Sequence, residues 1–361
     1  MTFEEARAAF PVLERYAYLN AGSVGPLARV TADAMAAAEN RELEHGRGGR
    51  SYFDAVLSAR EGLRATLARL LEVATDNIAL TTSTTEGCNV VMTGLSLERS
   101  DEVVTTDVEH FGLLGPLHAS GARVHVAEIR GLPADRALDA ILAACTRRTR
   151  LIALSHVAWT TGHVLPVHEI RRALPDVRML VDGAQSVGTI PVDVRPFDFY
   201  TVSGQKWLCG PSPTGALYVR DPERLGVGMP SYFSQDGYEP DGRFTPKTGA
   251  ARFDPGWISP AFMAGLEAAI AVRPEWAFER AAQAAARCHE LLDERVEVVT
   301  EPGQATLVTF RPDRDAEAVA ASLLERGVIV RDLPGTGWVR ASCGYWTSDE
   351  DLERLQAALT A

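Results

Sequence analysis

The chain alternates short apolar runs with longer segments in which apolar residues recur every three or four positions. A short apolar run predicts a buried β-strand, and the longer spacing predicts an amphipathic helix, as in Leu63, Leu67 and Leu71. Between residues 77 and 203 the two kinds of segment follow each other in turn. That order is typical of a doubly wound, mostly parallel sheet with helices on both faces, so it predicts an α/β fold.

The same patterns predict the extent of most elements. In the first two thirds, strands are predicted at 102–106, 123–126, 150–155, 179–181 and 199–202, with another ending at Thr81. Helices there are predicted at 3–10, 28–46, 51–73, 83–94, 134–145 and 167–174. Residues 226–251, rich in Gly, Pro and Asp, predict a long loop. The last third predicts long helices over about 261–292, then a smaller α/β unit with strands near 296–300, 305–310 and 328–331 and a helix over 316–326.

Lys206 is the first candidate for chemistry. It follows the predicted strand 199–202 after a Ser-Gly break, and Trp207 and Leu208 come directly after it. A lysine between apolar neighbours is poorly solvated, which favours its neutral, nucleophilic form. A neutral amine can form a Schiff base with an aldehyde cofactor. Taken alone, Lys206 could equally be a surface lysine beside a turn.

Asp182 gives the lysine a partner. It stands at the carboxyl end of the predicted strand 179–181, where open α/β sheets place ligand groups, and 24 residues before Lys206. A carboxylate there can pair with a protonated pyridine nitrogen and keep the ring electron-poor. An aspartate at a strand end can also be only the cap of the next helix. The two residues together are a more specific signal than either alone.

A third candidate lies at residues 83–85, Ser-Thr-Thr, where a strand ends and a helix begins. Backbone N–H groups at a helix N-terminus, with hydroxyls beside them, suit a phosphate. Ordinary Ser/Thr capping is the alternative. Thr84 and Thr85 are the predicted phosphate ligands, joined by Ser203 from the lysine segment.

Composition narrows the class of protein. A chain of 361 residues with 46% hydrophobic residues predicts two domains, and its net charge of −12 argues against nucleic acid and anionic membrane surfaces as partners. No apolar run approaches the ~20 residues of a membrane span, and the acidic N-terminus is unlike a signal peptide. The five cysteines are scattered without ligand-like spacing, so no metal site is predicted and reduced thiols in the cytoplasm are expected.

The Asp182 and Lys206 segments identify a resemblance. Over nearly its full length the chain resembles the class V (cysteine desulfurase-like) group of fold type I pyridoxal 5'-phosphate (PLP) enzymes. The resemblance implies a large PLP-binding domain over 28–255 and a small domain made of 1–27 with 256–361. It also implies a homodimer with active sites at the subunit interface, in which the 226–251 loop reaches the neighbouring subunit. Trp257 stands where the family has a Thr whose hydroxyl reaches the partner's phosphate.

The resemblance also assigns cofactor roles. His110 matches the histidine that stacks on the cofactor ring and can move protons. Gln185 matches a partner of the phenolic oxygen, and Thr160 stands near the position of an Asn that many relatives use for the same oxygen. Gln205 precedes the lysine where many relatives have His; its amide can donate to phosphate but cannot carry a proton.

On the substrate side, Arg340 matches the arginine that clamps the α-carboxylate. Asn20 and Ala21 lie in a segment that closes over the cofactor in the family. Arg331 could hold a distal carboxylate of a larger substrate, or it could be a plain surface arginine.

The segment between the two arginines bears on the reaction. Desulfurases carry a nucleophilic Cys there, whereas this chain has Leu-Pro-Gly-Thr-Gly over 333–337, so desulfuration through that Cys is not expected. The chain resembles most the cystine C–S lyase type, among isopenicillin N epimerase-like relatives. The expected activity is α,β-elimination from an S-substituted L-cysteine to thiol, pyruvate and ammonia. An epimerase or aminotransferase on the same fold is the alternative, and a PLP-binding protein without catalysis is a third.

Overall fold

A computed structural model describes residues 1–360 of the chain, as eleven α-helices and fifteen β-strands joined by turns and short 3₁₀ segments. The helices are α1 (Phe3–Ala8), α2 (Arg29–His45), α3 (Gly49–Leu71), α4 (Thr84–Leu95), α5 (Phe111–Ala119), α6 (Ala134–Ala144), α7 (Val167–Ala173), α8 (Pro260–Ala271), α9 (Ala277–Asp293), α10 (Ala316–Glu325) and α11 (Asp349–Thr360). The strands are β1 (Ala17–Tyr18), β2 (Ile78–Thr81), β3 (Glu102–Thr106), β4 (Arg123–Ala127), β5 (Thr149–Ser155), β6 (Arg178–Asp182), β7 (Phe199–Ser203), β8 (Gly215–Val219), β9 (Gln235–Tyr238), β10 (Phe244–Pro246), β11 (Glu297–Val298), β12 (Leu307–Arg311), β13 (Val328–Ile329), β14 (Arg331–Leu333) and β15 (Trp338–Ser342).

Seven strands form the main sheet in the order β2-β8-β7-β6-β5-β3-β4. All run parallel except β8, which lies antiparallel between β2 and β7. Residues on one strand alternate between two apolar layers: Ile152 and Leu154 of β5 join the core that includes α3, α6 and α7, and Leu151 and Ala153 join the one that includes α4 and α5. Helices therefore cover both faces, and the predicted doubly wound α/β sheet is confirmed.

The C-terminal part builds a smaller sheet, as predicted. Strands β11, β12, β15 and β14 pair antiparallel in that order, and α9, α10 and α11 supply apolar residues to the core beside them. The N-terminal β1 pairs in parallel with β13, so the start of the chain joins this unit. That pairing supports the proposed grouping of 1–27 with 256–361.

The 226–251 prediction was partly wrong. The segment contains a short antiparallel hairpin, β9 with β10, in addition to irregular backbone. Two exposed aromatic residues, Tyr238 and Phe244, face each other across it. A cross-strand aromatic pair of this kind stabilises a hairpin, which explains strand structure in a Gly- and Asp-rich stretch.

Candidate active site

Lys206 lies just beyond β7, in a tight turn that the N-terminal segment covers. Gly25 donates its N–H to the carbonyl of Gln205 (2.8 Å), and a Cβ on Gly25 would lie only 2.1 Å from the Lys206 carbonyl oxygen. Desolvation of this turn lowers the pKa of Lys206 to about 8, although the charge of Asp182 acts to raise it. A substantial fraction of Lys206 is therefore a neutral amine near pH 8.

Asp182 is buried at the end of β6, beside Ser155 of β5. Its Oδ1 accepts hydrogen bonds from the Ala184 N–H (2.9 Å) and the Thr201 hydroxyl (3.0 Å). Within residues 1–360 its other oxygen, Oδ2, has no hydrogen-bond partner. One oxygen fixes the side chain and the second remains for a ligand.

His110 is the N-cap of α5, and this fixes its ring. Nδ1 accepts a hydrogen bond from the Gly112 N–H (3.0 Å), so the neutral ring carries its proton on Nε2. Burial lowers the pKa of His110, and the charges of Lys206 and Arg340 lower it further while Asp182 opposes them. The His110 ring also meets the Trp159 ring edge-on (centroids 5.3 Å), and the Trp159 carbonyl accepts a hydrogen bond from Arg340.

The phosphate candidates lie at the start of α4. The Ser83 hydroxyl caps the helix by accepting the Glu86 N–H (3.1 Å), which leaves the first N–H groups, at Thr84 and Thr85, without intrahelical partners. Ser203 lies two strands away, since β7 pairs with β8 and β8 with β2 in one row. Two spacings between neighbouring strands separate the ends of β7 and β2 by about 10 Å. The Ser203 hydroxyl donates to Oε1 of Gln205 (3.1 Å).

Gln185 connects three segments of the site. Its amide Nε2 donates to the Gly22 carbonyl (2.8 Å), and its Oε1 accepts from the Trp207 indole N–H (2.8 Å). One N–H of the amide remains for a ligand. The sequence predicted a cofactor partner at Gln185 but gave no sign that the residue also holds the lysine turn against the N-terminal segment.

Thr160 lies in a stretch that docks on the C-terminal unit. Its hydroxyl has no hydrogen-bond partner within residues 1–360, and it remains a candidate for the phenolic oxygen. Four consecutive carbonyls, 159 to 162, accept hydrogen bonds from that unit. The donors are Arg340 Nη1 (2.7 Å), the Thr309 hydroxyl (2.6 Å), the Thr300 hydroxyl (2.7 Å) and the Ala305 N–H (3.1 Å).

Arg340 lies on β15 and is 2% exposed. Its guanidinium donates to the Trp159 carbonyl and to the Ser23 hydroxyl (3.3 Å), but to no carboxylate of the described chain. Burial lowers the pKa of Arg340 to about 9, and the charge of Arg331 contributes. A buried cation without an anion is costly, which fits a site that receives a substrate carboxylate.

The N-terminal segment packs tightly against Arg340. The backbone of Asn20 forms an isolated parallel β-bridge with that of Ser342. A Cβ on Gly22 would lie 2.7 Å from Arg340 Nη2. Ala21 is fully buried and can present only its backbone to a substrate. Within residues 1–360, four buried polar atoms of this region lack hydrogen-bond partners: Asn20 Oδ1, Trp159 Nε1, Arg340 Nε and Ser342 Oγ. Unpaired buried polar atoms of this kind indicate room for a polar ligand.

Trp257 does not contact the candidate site residues described above. It is 56% exposed, and its ring contacts Tyr52, Phe53 and Phe233. None of these is a candidate site residue.

In the described part of the chain there is no group of three His, Cys, Asp or Glu side chains arranged to hold a metal. No helix there has the length and apolar character needed to cross a bilayer.

Glu109 is a site neighbour to which sequence reasoning assigned no role. It is 6% exposed and accepts hydrogen bonds from the Thr106 hydroxyl (2.6 Å) and from the N–H (2.9 Å) and hydroxyl of Ser155. Burial raises the pKa of Glu109 to about 7, and the charge of Asp182 adds to the effect. The signal available in the sequence was a Glu directly before the candidate stacking histidine.

Comparison with known proteins places this arrangement in a family. Residues 19–355 match the Aminotransferase class-V family. A probable cysteine desulfurase of Methanothermobacter thermautotrophicus is 32% identical over 75% of this chain and 70% of its own length. The isopenicillin N epimerase of Streptomyces clavuligerus is 29% identical over 99% of this chain and 98% of its own.

Solved structures agree. A cystine C–S lyase in complex with its reaction product, cysteine persulfide, superposes with a TM-score of 0.91 and 28% identity, covering 97% of this chain and 98% of that one. A mutant structure with the same score and identity, covering 98% of each chain, has glycine covalently linked to its PLP cofactor. The fold type I architecture expected from the sequence is thereby confirmed, and the chain belongs to the Aminotransferase class-V family.

Proposed function

We propose that the protein is a PLP-dependent C–S β-lyase that splits an S-substituted L-cysteine into a thiol, pyruvate and ammonia. The observation that carries the choice is the turn between β14 and β15: residues 334–337 contain no Cys that could accept sulfur, and the solved relatives named above include a cystine C–S lyase. The lyase reaction needs a base and a carboxylate clamp, and Lys206 and Arg340 supply them.

The residues present fit PLP. Asp182 Oδ2 would receive the pyridine N–H, the N-terminus of α4 with Thr84 and Thr85 would hold the phosphate, and His110 would lie on the ring. When bound, PLP supplies an aldehyde for an amine and a ring that accepts electrons from the α-carbon. Gln185, Thr160, Ser203 and Gln205 are the further candidates for contact with it.

The chain's own residues then divide the work. Arg340 holds the α-carboxylate with its planar fork and so fixes the orientation of the substrate. Lys206 Nζ, with its pKa lowered to about 8, takes the α-proton. Asp182 keeps its partner nitrogen protonated. The bond from Cβ to sulfur breaks with the electrons leaving on sulfur, and one water is consumed as pyruvate and ammonia form.

Lysine content makes the test sharp, because Lys206 and Lys247 are the only two lysines in the sequence. Purified protein with PLP is expected to absorb near ~420 nm and to release pyruvate with an equal amount of thiol from S-alkyl cysteines, or with an equal amount of cysteine persulfide from cystine. Lys206→Ala should abolish both signals. Lys247→Ala, the matched control, should keep both.

Other products would identify the alternatives. Exchange of the α-proton without pyruvate would favour the epimerase, and an isopenicillin N epimerase is among the relatives. A 2-oxo acid that keeps its side chain would favour the aminotransferase. Absorbance without exchange or product would favour a binding protein.

We also propose a homodimer. The supporting feature is an aromatic cluster made of Tyr52, Phe53, Tyr232, Phe233 and Trp257, whose rings contact one another around the buried Phe233. Tyr232 and Trp257 are both more than half exposed in the single chain. Light scattering should give twice the mass of one chain, and Trp257→Glu should weaken the association. A monomeric wild type at micromolar concentration would contradict the dimer.

A further inference from the structure

Two side chains anchor the turn between β3 and α5, which carries His110. On the outer side, the Asp107 carboxylate accepts the N–H groups of Ile129 (2.8 Å) and Arg130 (3.1 Å) beyond β4. On the inner side, Glu109 accepts three hydrogen bonds, two of them from Ser155 at the end of β5. His110 follows directly and caps α5 through its own ring.

The inner anchor, Glu109, contacts the strand next to Asp182. Ser155 is paired in register with Asp182, so Glu109, the residue before His110, is hydrogen-bonded to the strand next to the candidate pyridine-binding carboxylate. From these contacts we infer that Glu109 is a positioning residue: it holds His110 at a fixed height and angle over the ring position above Asp182. This inference deepens the proposed lyase function and rests on it for its kinetic readout.

Glu109 positions His110 through its hydrogen bonds rather than through its negative charge. All three donors to Glu109 are a backbone N–H or hydroxyls, and hydroxyls can also accept. A glutamine of the same shape could accept the Ser155 N–H and donate to a hydroxyl. Alanine would leave the buried Ser155 N–H without a partner and release the turn.

The chain offers a control at the start of β3, the strand that leads into the turn with Glu109. Glu102 begins β3, is 1% exposed, and accepts a hydrogen bond from Thr146 (2.5 Å) in the segment before β5. It resembles Glu109 in residue type and burial and differs in that it also pairs with Arg148 and His125, and it lies at the end of β3 remote from His110. Glu102→Ala therefore reports on loss of a buried acid without loss of the His110 anchor.

The experiment compares Glu109→Ala, Glu109→Gln and Glu102→Ala as holoenzymes. Glu109→Ala should lower kcat about 10- to 100-fold, the cost of a displacement near 1 Å, with KM changed less than about threefold because Arg340 is untouched. It should also change the visible circular dichroism of bound PLP. Glu109→Gln should stay within about threefold of wild type in kcat. Glu102→Ala should keep the wild-type kcat and dichroism.

A readout without cofactor or substrate separates this inference from the lyase proposal. In the PLP-free protein, ¹⁵N shifts should show His110 as the Nε2–H tautomer in wild type and Glu109→Gln, and as a mixture in Glu109→Ala. The signal is assigned by its loss in His110→Gln. If no lyase activity is found, the dichroism and tautomer readouts still decide the role of Glu109.

Three results would overturn the inference: Glu109→Ala with wild-type dichroism and tautomer, Glu109→Gln as impaired as Glu109→Ala, or Glu102→Ala with the same losses. If Glu109→Ala does not fold, Ser155→Ala replaces it. That variant removes one hydroxyl donor and keeps the backbone N–H, so kcat should fall about fivefold with the same change in dichroism. An unchanged Ser155→Ala enzyme would then count against the inference.

Discussion

Arg331 and Arg340 lie directly opposite each other on the adjacent antiparallel strands β14 and β15. Opposed residues on paired strands share a face of the sheet, and like charges in that position are unfavourable. Neither guanidinium forms an ion pair with an acidic side chain of residues 1–360. An anionic ligand between them would remove the repulsion, so the pair supports a substrate with more than one carboxylate.

Arg331→Gln should therefore separate two classes of substrate. For cystine, which has two carboxylates, KM should rise about tenfold, the loss of one charge-assisted contact. For an S-alkyl cysteine with one carboxylate, KM should change less than about twofold, since Arg340 remains. Steady-state kinetics on both substrates measure the difference.

Arg311→Gln is the control, because Arg311 is exposed on β12 of the same sheet and pairs with Glu297. It should leave both KM values unchanged. An equal rise for both substrates in Arg331→Gln would mean that Arg331 acts only through Arg340. No rise at all would make it a surface arginine.

Much of the sheet could be predicted because short apolar runs report strands locally. The strands predicted between residues 102 and 202 are confirmed to within one residue at each end. Lys206 and Asp182 were selected by the same reasoning, since Asp182 directly follows such a run and Lys206 comes four residues after one. Strand β8 is also an apolar run, but its antiparallel place between β2 and β7 depends on pairing with both strands, which spacing does not encode.

The contacts that hold the site together were harder to predict from the sequence. Glu109 reaches Ser155 across 46 residues, and Gln185 reaches Gly22 across 163. Such pairs depend on how strands and loops assemble, and a single sequence gives no direct sign of them. The hairpin of β9 and β10 was missed for a related reason, because Gly and Asp dominate its composition and only the pairing of Tyr238 with Phe244 reveals it.

Lys206→Met should stabilise the PLP-free protein below pH 8. Burial lowers the pKa of Lys206 from 10.5 to about 8, so at lower pH the folded state carries a poorly solvated charge. Between pH 8 and 10.5 the unfolded chain binds more protons than the folded one, and wild-type stability rises with pH. The variant should gain roughly 1–3 kcal/mol at pH 7 and lose this advantage by about pH 10.

Urea unfolding at several pH values measures this effect. Lys247→Met, the other lysine substitution, should follow the wild-type pH dependence. A Lys206→Met advantage that is the same at pH 7 and pH 10 would show that it comes from packing and not from the buried charge.

Gly112→Ala should weaken PLP binding. A Cβ at Gly112 would lie 2.5 Å from the Thr85 hydroxyl and 3.1 Å from His110 Nδ1, so it would push apart the phosphate and stacking candidates. Overpacking of this kind costs about 1–3 kcal/mol, which corresponds to a roughly 5- to 150-fold higher dissociation constant in a PLP titration.

Gly115→Ala on the same helix is the matched control. Its Cβ would meet only the Phe111 ring, at 3.2 Å, and Phe111 is 79% exposed and can move aside. It should bind PLP as wild type does and gain up to ~1 kcal/mol of helix stability. Equal affinity in the two variants would mean that the starts of α4 and α5 do not form one site.

Asp254→Asn should be strongly destabilising. Asp254 is fully buried and accepts hydrogen bonds from Arg60 (3.1 Å), Arg64 (2.7 Å) and the Leu80 N–H (3.0 Å), so it ties the segment before Trp257 to α3 and β2. The amide would leave the buried Arg60 guanidinium without an anion and Arg64 with only Glu61. Breaking a buried ion pair in this way costs about 3–5 kcal/mol.

Asp241→Asn provides the comparison, since Asp241 pairs with Arg243 at an exposed turn, and it should change stability by less than ~1 kcal/mol. Denaturant unfolding of the two variants tests the assignment. Because Arg60 also donates to the Gly256 carbonyl and lies over the Phe233 ring (4.3 Å), Asp254→Asn should loosen the aromatic cluster as well. The proposed dimer should then dissociate at a higher concentration in Asp254→Asn than in Asp241→Asn, and equal dissociation would show that Asp254 supports the fold of one chain without shaping the surface around Trp257.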